Sequence, residues 1–381
     1  MVKFAKVKKK SLVALSSLLV LSSLVGCQAN SSEKEGTIKV GLVAPLSGAT
    51  AQDGKSILNA AQLAIDEVNK EGGINKKKIE LVYEDDKGEP KEAASIANKY
   101  SSDKDIMAVI GSFSASCTLA GIPIYTKAKI PMMGPCGSAP ALSGSSEYYR
   151  KVTPSDLTTG TELSKWMLKD LNYKKVAIVY VNNDYGKGVA ESVDNFYKEN
   201  GGQVVAKESY MPKTQDFGSI ITKVKSKNPD IVIMGSFYGD AGAFLKQAHN
   251  VGYNPKVAGP TPLLSKSLVD LAGKDAEGIF TIGSFSTNLE NEKVKEFAEK
   301  YKKKYNQDPS SFAAYSYDAT KILIEGIKKG GNDREKINEA LKNMGTYTGV
   351  TGNTKFEKSG DAEKNLIRFI VKDGKFVEWK K

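Results

Sequence analysis

The sequence predicts an α/β chain built from two open, mainly parallel sheets, and three observations carry that expectation. Short β-branched runs alternate with longer amphipathic runs from Thr37 to Ile282, and strand, helix and strand in succession imply right-handed crossovers onto parallel sheets. The alternation pauses at Pro154 and then begins again, giving two series of the same kind. A chain of 381 residues is also long enough for two domains of ordinary size.

In the first series, residues 37–44 read as a strand, 55–70 as a helix that Gly72-Gly73 ends, and 78–85 as a second strand. A helix over 90–102 opens on Pro90, whose missing N–H costs nothing in a first turn. Strand 106–110, helix 116–128 and strand 130–133 complete the series. In the second, Ser155 is placed to cap a helix reaching Leu171. Strand 175–181, helix 186–200, strand 203–210, helix 217–227, strand 230–234, helix 240–251, strand 255–258, helix 265–271 and strand 278–282 follow. The tail adds helices over 291–305, 311–329 and 334–344, then strands over 351–356, 366–371 and 376–379. Two similar lobes and a mixed tail predict a bilobed protein with a cleft between the lobes.

The first 27 residues predict export. Lys3, Lys6, Lys8, Lys9 and Lys10 precede an uncharged run over 11–25, and Leu24-Val25-Gly26-Cys27 supplies a small-residue cleavage site. That run is 15 residues long, short of the about 20 that a spanning helix needs. Cys27 after Leu-Val-Gly resembles a bacterial lipobox, which implies a signal peptide over 1–26, lipid on Cys27, and a tether to the outer face of the cell membrane. Residues 27–36 read as a polar linker. The signal holds five lysines and no acid, so the formal charge falls from +11 for the whole chain to +6 for the remaining 355 residues. Runs such as Lys76-Lys77-Lys78 flank apolar segments as solvated faces do, and no Lys/Arg cluster with aromatics marks a nucleic-acid footprint.

Beyond Cys27 the chain has only Cys117 and Cys136, open to two readings: small buried residues, or a disulfide in an exported protein. The one histidine, His249, has no acid or cysteine at ligand spacing, and no Gly-x-Ser-x-Gly elbow occurs. No metal, cofactor or catalytic machinery is therefore expected. A repeated tripeptide is more informative: Gly-Ser-Phe ends three predicted strands, at Gly111-Ser112-Phe113, Gly235-Ser236-Phe237 and Gly283-Ser284-Phe285. In open α/β sheets, ligands bind outside the carboxyl ends of strands.

The chain resembles the extracytoplasmic branched-chain amino acid (leucine/isoleucine/valine) binding proteins of ABC transporters. The matches are Val40-Gly41-Leu42-Val43-Ala44-Pro45-Leu46-Ser47-Gly48, Asn69-Lys70-Glu71-Gly72-Gly73-Ile74, Val109-Ile110-Gly111, Asp184-Tyr185-Gly186-Lys187-Gly188, Asp308-Pro309-Ser310 and Tyr317-Asp318-Ala319, in order across residues 37–379. The resemblance implies a type I periplasmic-binding-protein fold, with a hinge, three crossover strands and discontinuous lobes. We place residues 37–155 plus 284–355 in lobe 1 and 156–283 plus 356–381 in lobe 2. It also implies a monomer partnered by membrane permeases and cytoplasmic ATPases.

A free amino acid presents a carboxylate, an ammonium and a side chain. The N–H groups at a helix N-terminus suit the carboxylate, and Ser114-Ala115-Ser116-Cys117-Thr118 lies between a strand and a helix. The family usually has serine where this chain has Ala115, leaving Ser114 or Ser116 to substitute. The loop Pro135-Cys136-Gly137-Ser138-Ala139-Pro140 resembles the one that gives a carbonyl, here of Cys136, to the ammonium and a hydroxyl, here of Ser138, to the carboxylate. Tyr185 and Phe237 match aromatics that close over the ligand. The main departure is Thr261, in Gly259-Pro260-Thr261-Pro262, where the family places an acid against the ammonium. Burying an ammonium without a counter-charge is costly, so another acid is expected to serve, with Asp184 and Asp240 as the candidates, or the ligand is not a simple α-amino acid. Asp53 is a second polar departure. The functional expectation is a lipoprotein that captures an amino acid for an ABC permease; the alternative is a sensory module for an amide or other small polar metabolite.

Overall fold

The computed structural model describes residues 36–380. Cys27, the signal over 1–26 and nearly all of the linker lie outside the described residues. The first series folds as β1 (Ile38–Ala44), α1 (Ala51–Lys70), β2 (Ile79–Asp85), α2 (Pro90–Ser102), β3 (Ile106–Ile110), α3 (Ala115–Lys127), β4 (Met132–Gly134) and β5 (Tyr149–Lys151). The five strands make one parallel sheet in the order β2-β1-β3-β4-β5. Its inner strands are apolar on both faces because helices cover both; every residue of β3 is buried, whereas the edge strand β2 is only partly so.

The second series folds as α4 (Asp156–Lys165), β6 (Lys175–Val181), α5 (Asp184–Glu199), β7 (Gln203–Tyr210), α6 (Gly218–Ser226), β8 (Ile231–Gly235), α7 (Tyr238–Asn250), β9 (Val257–Gly259), α8 (Lys266–Ala272) and β10 (Phe280–Gly283). Ser155 caps α4, accepting from the Leu157 N–H, and a π-helical turn, Trp166–Asp170, carries that helix to the expected end. The tail contributes α9 (Glu292–Tyr305), α10 (Ser311–Gly330), α11 (Arg334–Lys342), β11 (Tyr347–Gly349), β12 (Gly352–Phe356), β13 (Ala362–Glu363), β14 (Ile367–Lys372) and β15 (Lys375–Glu378). Strands β14 and β15 add antiparallel to β10, giving a seven-stranded sheet in the order β15-β14-β10-β9-β8-β6-β7.

Each sheet has its own core. Trp166, Phe217 and Phe244 pack beneath the second, while α10 lays Tyr315, Ile322 and Ile324 against β1, β3 and α1 on the first. Phe285, Phe297 and Tyr301, which follow β10 in sequence, pack on α1 and α10. One boundary differs from the sequence reading, which gave residues 356–381 to lobe 2. Gly144 and Lys151 donate backbone hydrogen bonds to Ser359 and Gly360, and Ser143 donates to Asp361 at 2.6 Å. Residues 357–363 therefore stay with the first sheet, and the chain joins the second only at β14. The short strands β5, β11 and β13 were not expected; with two or three residues each, they carry no periodicity.

In both sheets the strand order reverses beside the first strand of the series, between β1 and β3 and between β6 and β8. Loops leaving the carboxyl ends of strands at such a reversal form a crevice, and here they bring two crevices face to face. The fold is the type I periplasmic-binding-protein arrangement that the family resemblance implied.

Candidate functional site

Two adjoining chambers lie where the crevices meet. The first, about 400 Å³ including its open mouth, is lined from the first sheet by Phe113, Ser114, Ala115, Ser116, Cys136 and Ser138, and from the second by Asn183, Tyr185, Phe237 and Pro262; Phe312 of α10 completes it. The second, about 360 Å³, shares Cys136, Ser138, Pro262 and Phe312 and adds Thr153, Asp156, Thr159, Thr261 and Tyr315. Of the eight ligand residues named from sequence, seven line the first chamber and Thr261 the second.

The first chamber ends on the N-terminus of α3. Ser114 is its N-cap, with extended backbone, and its hydroxyl accepts from the Cys117 N–H at 3.2 Å. The Thr118 N–H donates to the Ser114 carbonyl, and among the described residues the Ala115 and Ser116 N–H groups are left without acceptors, as first-turn donors are. The Ser116 hydroxyl is committed elsewhere: it donates to Asp184 Oδ2 at 2.5 Å, joining α3 to the first turn of α5. Of the two serines expected to replace the hydroxyl missing at Ala115, Ser116 has its donor committed to Asp184, whereas Ser114 only accepts and keeps its O–H donor; the backbone donors remain.

Aromatic rings wall this chamber. Phe237 lies between Phe113, 5.8 Å away across the crevice, and Tyr185, 5.3 Å away on its own side, while Phe312 meets Phe113 edge to face at 5.0 Å. The Tyr185 hydroxyl donates to the Ser236 carbonyl at 3.4 Å, so the ring presents its apolar body. Cys117 and Cys136 are both free and buried; burial pushes the Cys117 thiol up to about 12 and Cys136 well above the usual range, so both are inert packing groups here.

The second chamber holds the charge. Thr261 spends its hydroxyl on the Ile282 carbonyl at 3.0 Å and brings no acid. Asp156, the first residue of α4, is 1 % exposed, and its Oδ2 has no hydrogen-bond partner. Burial pushes its carboxyl up to about 7, against the opposing pull of Ser138 and Lys151. Its backbone N–H donates to the Ser138 carbonyl at 2.8 Å. The nearby cation, Lys151, is fully buried and paired with Asp361 Oδ1 at 3.1 Å.

The acids favoured from sequence are placed otherwise: Asp184 serves Ser116, and Asp240 accepts from the Tyr210 hydroxyl at 2.9 Å. Neither lines a chamber. Asp53 is 5 % exposed with an unpartnered Oδ2 and is pushed to about 7 by burial, but it too lies outside the lining. Sequence reasoning passed over Asp156 although it had identified Ser155 as a cap; an acid at the first helical position, where the chain passes between sheets, was the available signal. Among the described residues no group of three or more His, Cys, Asp or Glu side chains is arranged to hold a metal.

The model of the periplasmic binding protein family matches residues 37–375. The leucine-, isoleucine-, valine-, threonine- and alanine-binding protein of Pseudomonas aeruginosa is 30% identical over 359 residues, covering 93% of this chain and 94% of its own. Among solved structures, LivJ of Streptococcus pneumoniae, a branched-chain amino acid transporter substrate-binding protein in complex with isoleucine, is 32% identical with a TM-score of 0.83, over 90% of this chain and 99% of its own. An ABC-transporter solute-binding protein from Rhodopseudomonas palustris, in complex with 3,4-dihydroxybenzoic acid, gives a TM-score of 0.83 at 26% identity, over 90% and 96% of the two chains. The chain belongs to the periplasmic binding protein family, in the group of substrate-binding proteins of branched-chain amino acid ABC transporters.

Proposed function

We propose that this protein captures a branched-chain or related α-amino acid between its two lobes and delivers it to an ABC permease, held at the outer face of the cell membrane by lipid on Cys27. The observation that carries the ligand class is the division of the cleft: unpaired N–H donors of Ala115 and Ser116 at one end, an unpartnered acid at the other, and an aromatic wall between them. Ser138, lining both chambers, stands where it can reach either polar group of a short zwitterion. Phe113, Phe237 and Phe312 offer an aliphatic side chain large, rigid contact area at little entropic cost.

Calorimetric titration of the purified protein against the twenty amino acids and primary amides tests the ligand class. One-to-one binding of aliphatic amino acids is expected, and no heat from any amino acid would overturn it. For the anchor, Cys27→Ser should move the protein from the membrane to the soluble fraction with its ligand affinity unchanged. The lipidated chain acts as a monomer, one ligand per tether, and its partners are the permease and ATPase subunits.

A further inference from the structure

A further cavity opens where β9 and β10 begin, at the end of the second sheet opposite the crevice. It measures about 1070 Å³ including its open mouth, room for a small molecule. Its floor is apolar: Leu245, Val257, Ile279 and Phe280 are all buried. Tyr173 stands beside them, its ring 6.3 Å from that of Phe280.

The polar groups around this floor divide by whether they are already engaged. Its acceptors are spent. Asn254 Oδ1 and Asp275 Oδ1 lie 3.0 and 3.3 Å from His249 Nδ1, and Glu277 accepts from the Asp373 and Gly374 N–H groups at 3.1 and 2.6 Å. The carbonyls at the end of α7 are taken too, Ala248 by the Val251 and Tyr253 N–H groups and His249 by that of Gly252. The donors are free. Neither Lys256 nor Lys274 is paired with an acid among the described residues. Lys256 rests over the Tyr173 ring, 4.6 Å from its centre, a contact that places the ammonium at the aromatic edge without neutralising it.

We propose that this cavity binds an aromatic carboxylate, its ring on the apolar floor and its anionic head between Lys256 and Lys274. A cation would find the carboxylates already engaged. An aliphatic acid would meet the lysines but forgo the ring contacts with Tyr173 and Phe280. Every lining residue lies between positions 173 and 280, on the second sheet and its helices. Opening or closing the crevice therefore leaves the site unchanged, and its occupant does not compete with a molecule held there. The proposal does not depend on the amino-acid reading above.

Calorimetry of the purified full-length protein with phenylacetate and 3-phenylpropanoate tests this, with hexanoate as the ringless acid and 2-phenylethylamine as the cationic counterpart. One aromatic acid should bind one to one with a dissociation constant below about 1 mM, and the amine at least about tenfold more weakly. Hexanoate should bind a few-fold more weakly than that acid. Lys256→Gln combined with Lys274→Gln should weaken the acid by about tenfold. Lys256→Glu combined with Lys274→Glu should turn the preference toward the amine, which a loss of fold could not do. No heat from either aromatic acid at about 5 mM overturns the proposal, as does binding of the amine or of hexanoate as tight as that of the aromatic acid. Binding that survives both lysine-to-glutamine exchanges within about twofold overturns it as well, since the acid would then lie elsewhere.

Discussion

Replacing Gly188 with alanine should impair closure while leaving each lobe intact. Gly188 lies in the first half of α5, on the second-sheet side. A Cβ there would come within 2.6 Å of Pro140 Cδ, on the first-sheet side, and within 3.3 Å of Asp156 Oδ2. The pyrrolidine ring is rigid, so the two sides must separate by several tenths of an ångström for a methyl group to fit. Overpacking of this kind costs about 1–3 kcal/mol, which corresponds to about 5- to 150-fold in affinity if the ligand is held only when the cleft closes. Alanine is at the same time a better helix former than glycine by up to about 1 kcal/mol, so the variant should unfold at or slightly above the native temperature. Calorimetry for affinity and a thermal melt for stability separate the two effects, and small-angle scattering with and without ligand reads closure directly. Native affinity in Gly188→Ala, with unchanged scattering, would refute the reasoning that this contact limits closure.

The Ser116–Asp184 hydrogen bond spans the same crevice; because both residues are only half-buried, its contribution to closure is about 1 kcal/mol. Ser116→Ala and Asp184→Ala should each weaken ligand binding a few-fold, with a coupling of similar size in the double-mutant cycle; strict additivity would show that the bond does not act in closure. Asp53, pushed up to about 7 by burial, binds a proton in the folded state that its unfolded counterpart releases near pH 4. Its ionisation therefore removes stability as pH rises toward and through 7. Asp53→Asn should accordingly stabilise the protein by about 1–3 kcal/mol at pH 8 and by almost nothing at pH 4, and an equal effect at both values in denaturant titrations would contradict the assignment. Asp318 accepts from the Val350 and Thr351 N–H groups and from the Thr351 hydroxyl. Asp318→Ala should cost about 3–5 kcal/mol in urea unfolding by leaving these buried donors unpaired.

The sheets were legible because their signals are local. Strands β3, β6 and β7 are continuous or alternating apolar runs between strong breakers, and α2 starts on a proline; all four have the bounds that the sequence predicted. Helix ends that depend on a turn, such as the start of α1 at Ala51 rather than at Lys55, were less sharp. The loops at the strand ends were also legible, since open sheets gather ligands there, and all the ligand residues named from them line a chamber. Charge was not. Whether an acid such as Asp184 or Asp240 faces the cleft depends on contacts 30 to 68 residues away in the chain, Tyr210 with Asp240 and Ser116 with Asp184. The same limit hid the handover at residues 357–363, which β5 and its flanks fix through backbone hydrogen bonds.

The position of Asp156 also bears on the order of events. It begins α4, yet its N–H is bonded to the Ser138 carbonyl and its side chain faces Ser138 and Thr153. The first chain crossing between the sheets lies at that point, and the segment nearest a hinge moves least when the lobes part. On the hinge-closing reading proposed above, the carboxylate, Ser138 and the α3 N-terminus would stay together as one polar surface while Tyr185 and Phe237 swing away with the second sheet. An amino acid held by both its charged groups would settle on that surface first, and the aromatic residues would then close over its side chain. Substitutions at Phe237 should accordingly change how long the ligand stays more than how fast it arrives, whereas Asp156→Asn should alter the first encounter as well. Stopped-flow binding separates these rates, and an association rate that falls as steeply as affinity in Phe237→Ala would place the aromatic residues, and not the polar surface, at the first contact.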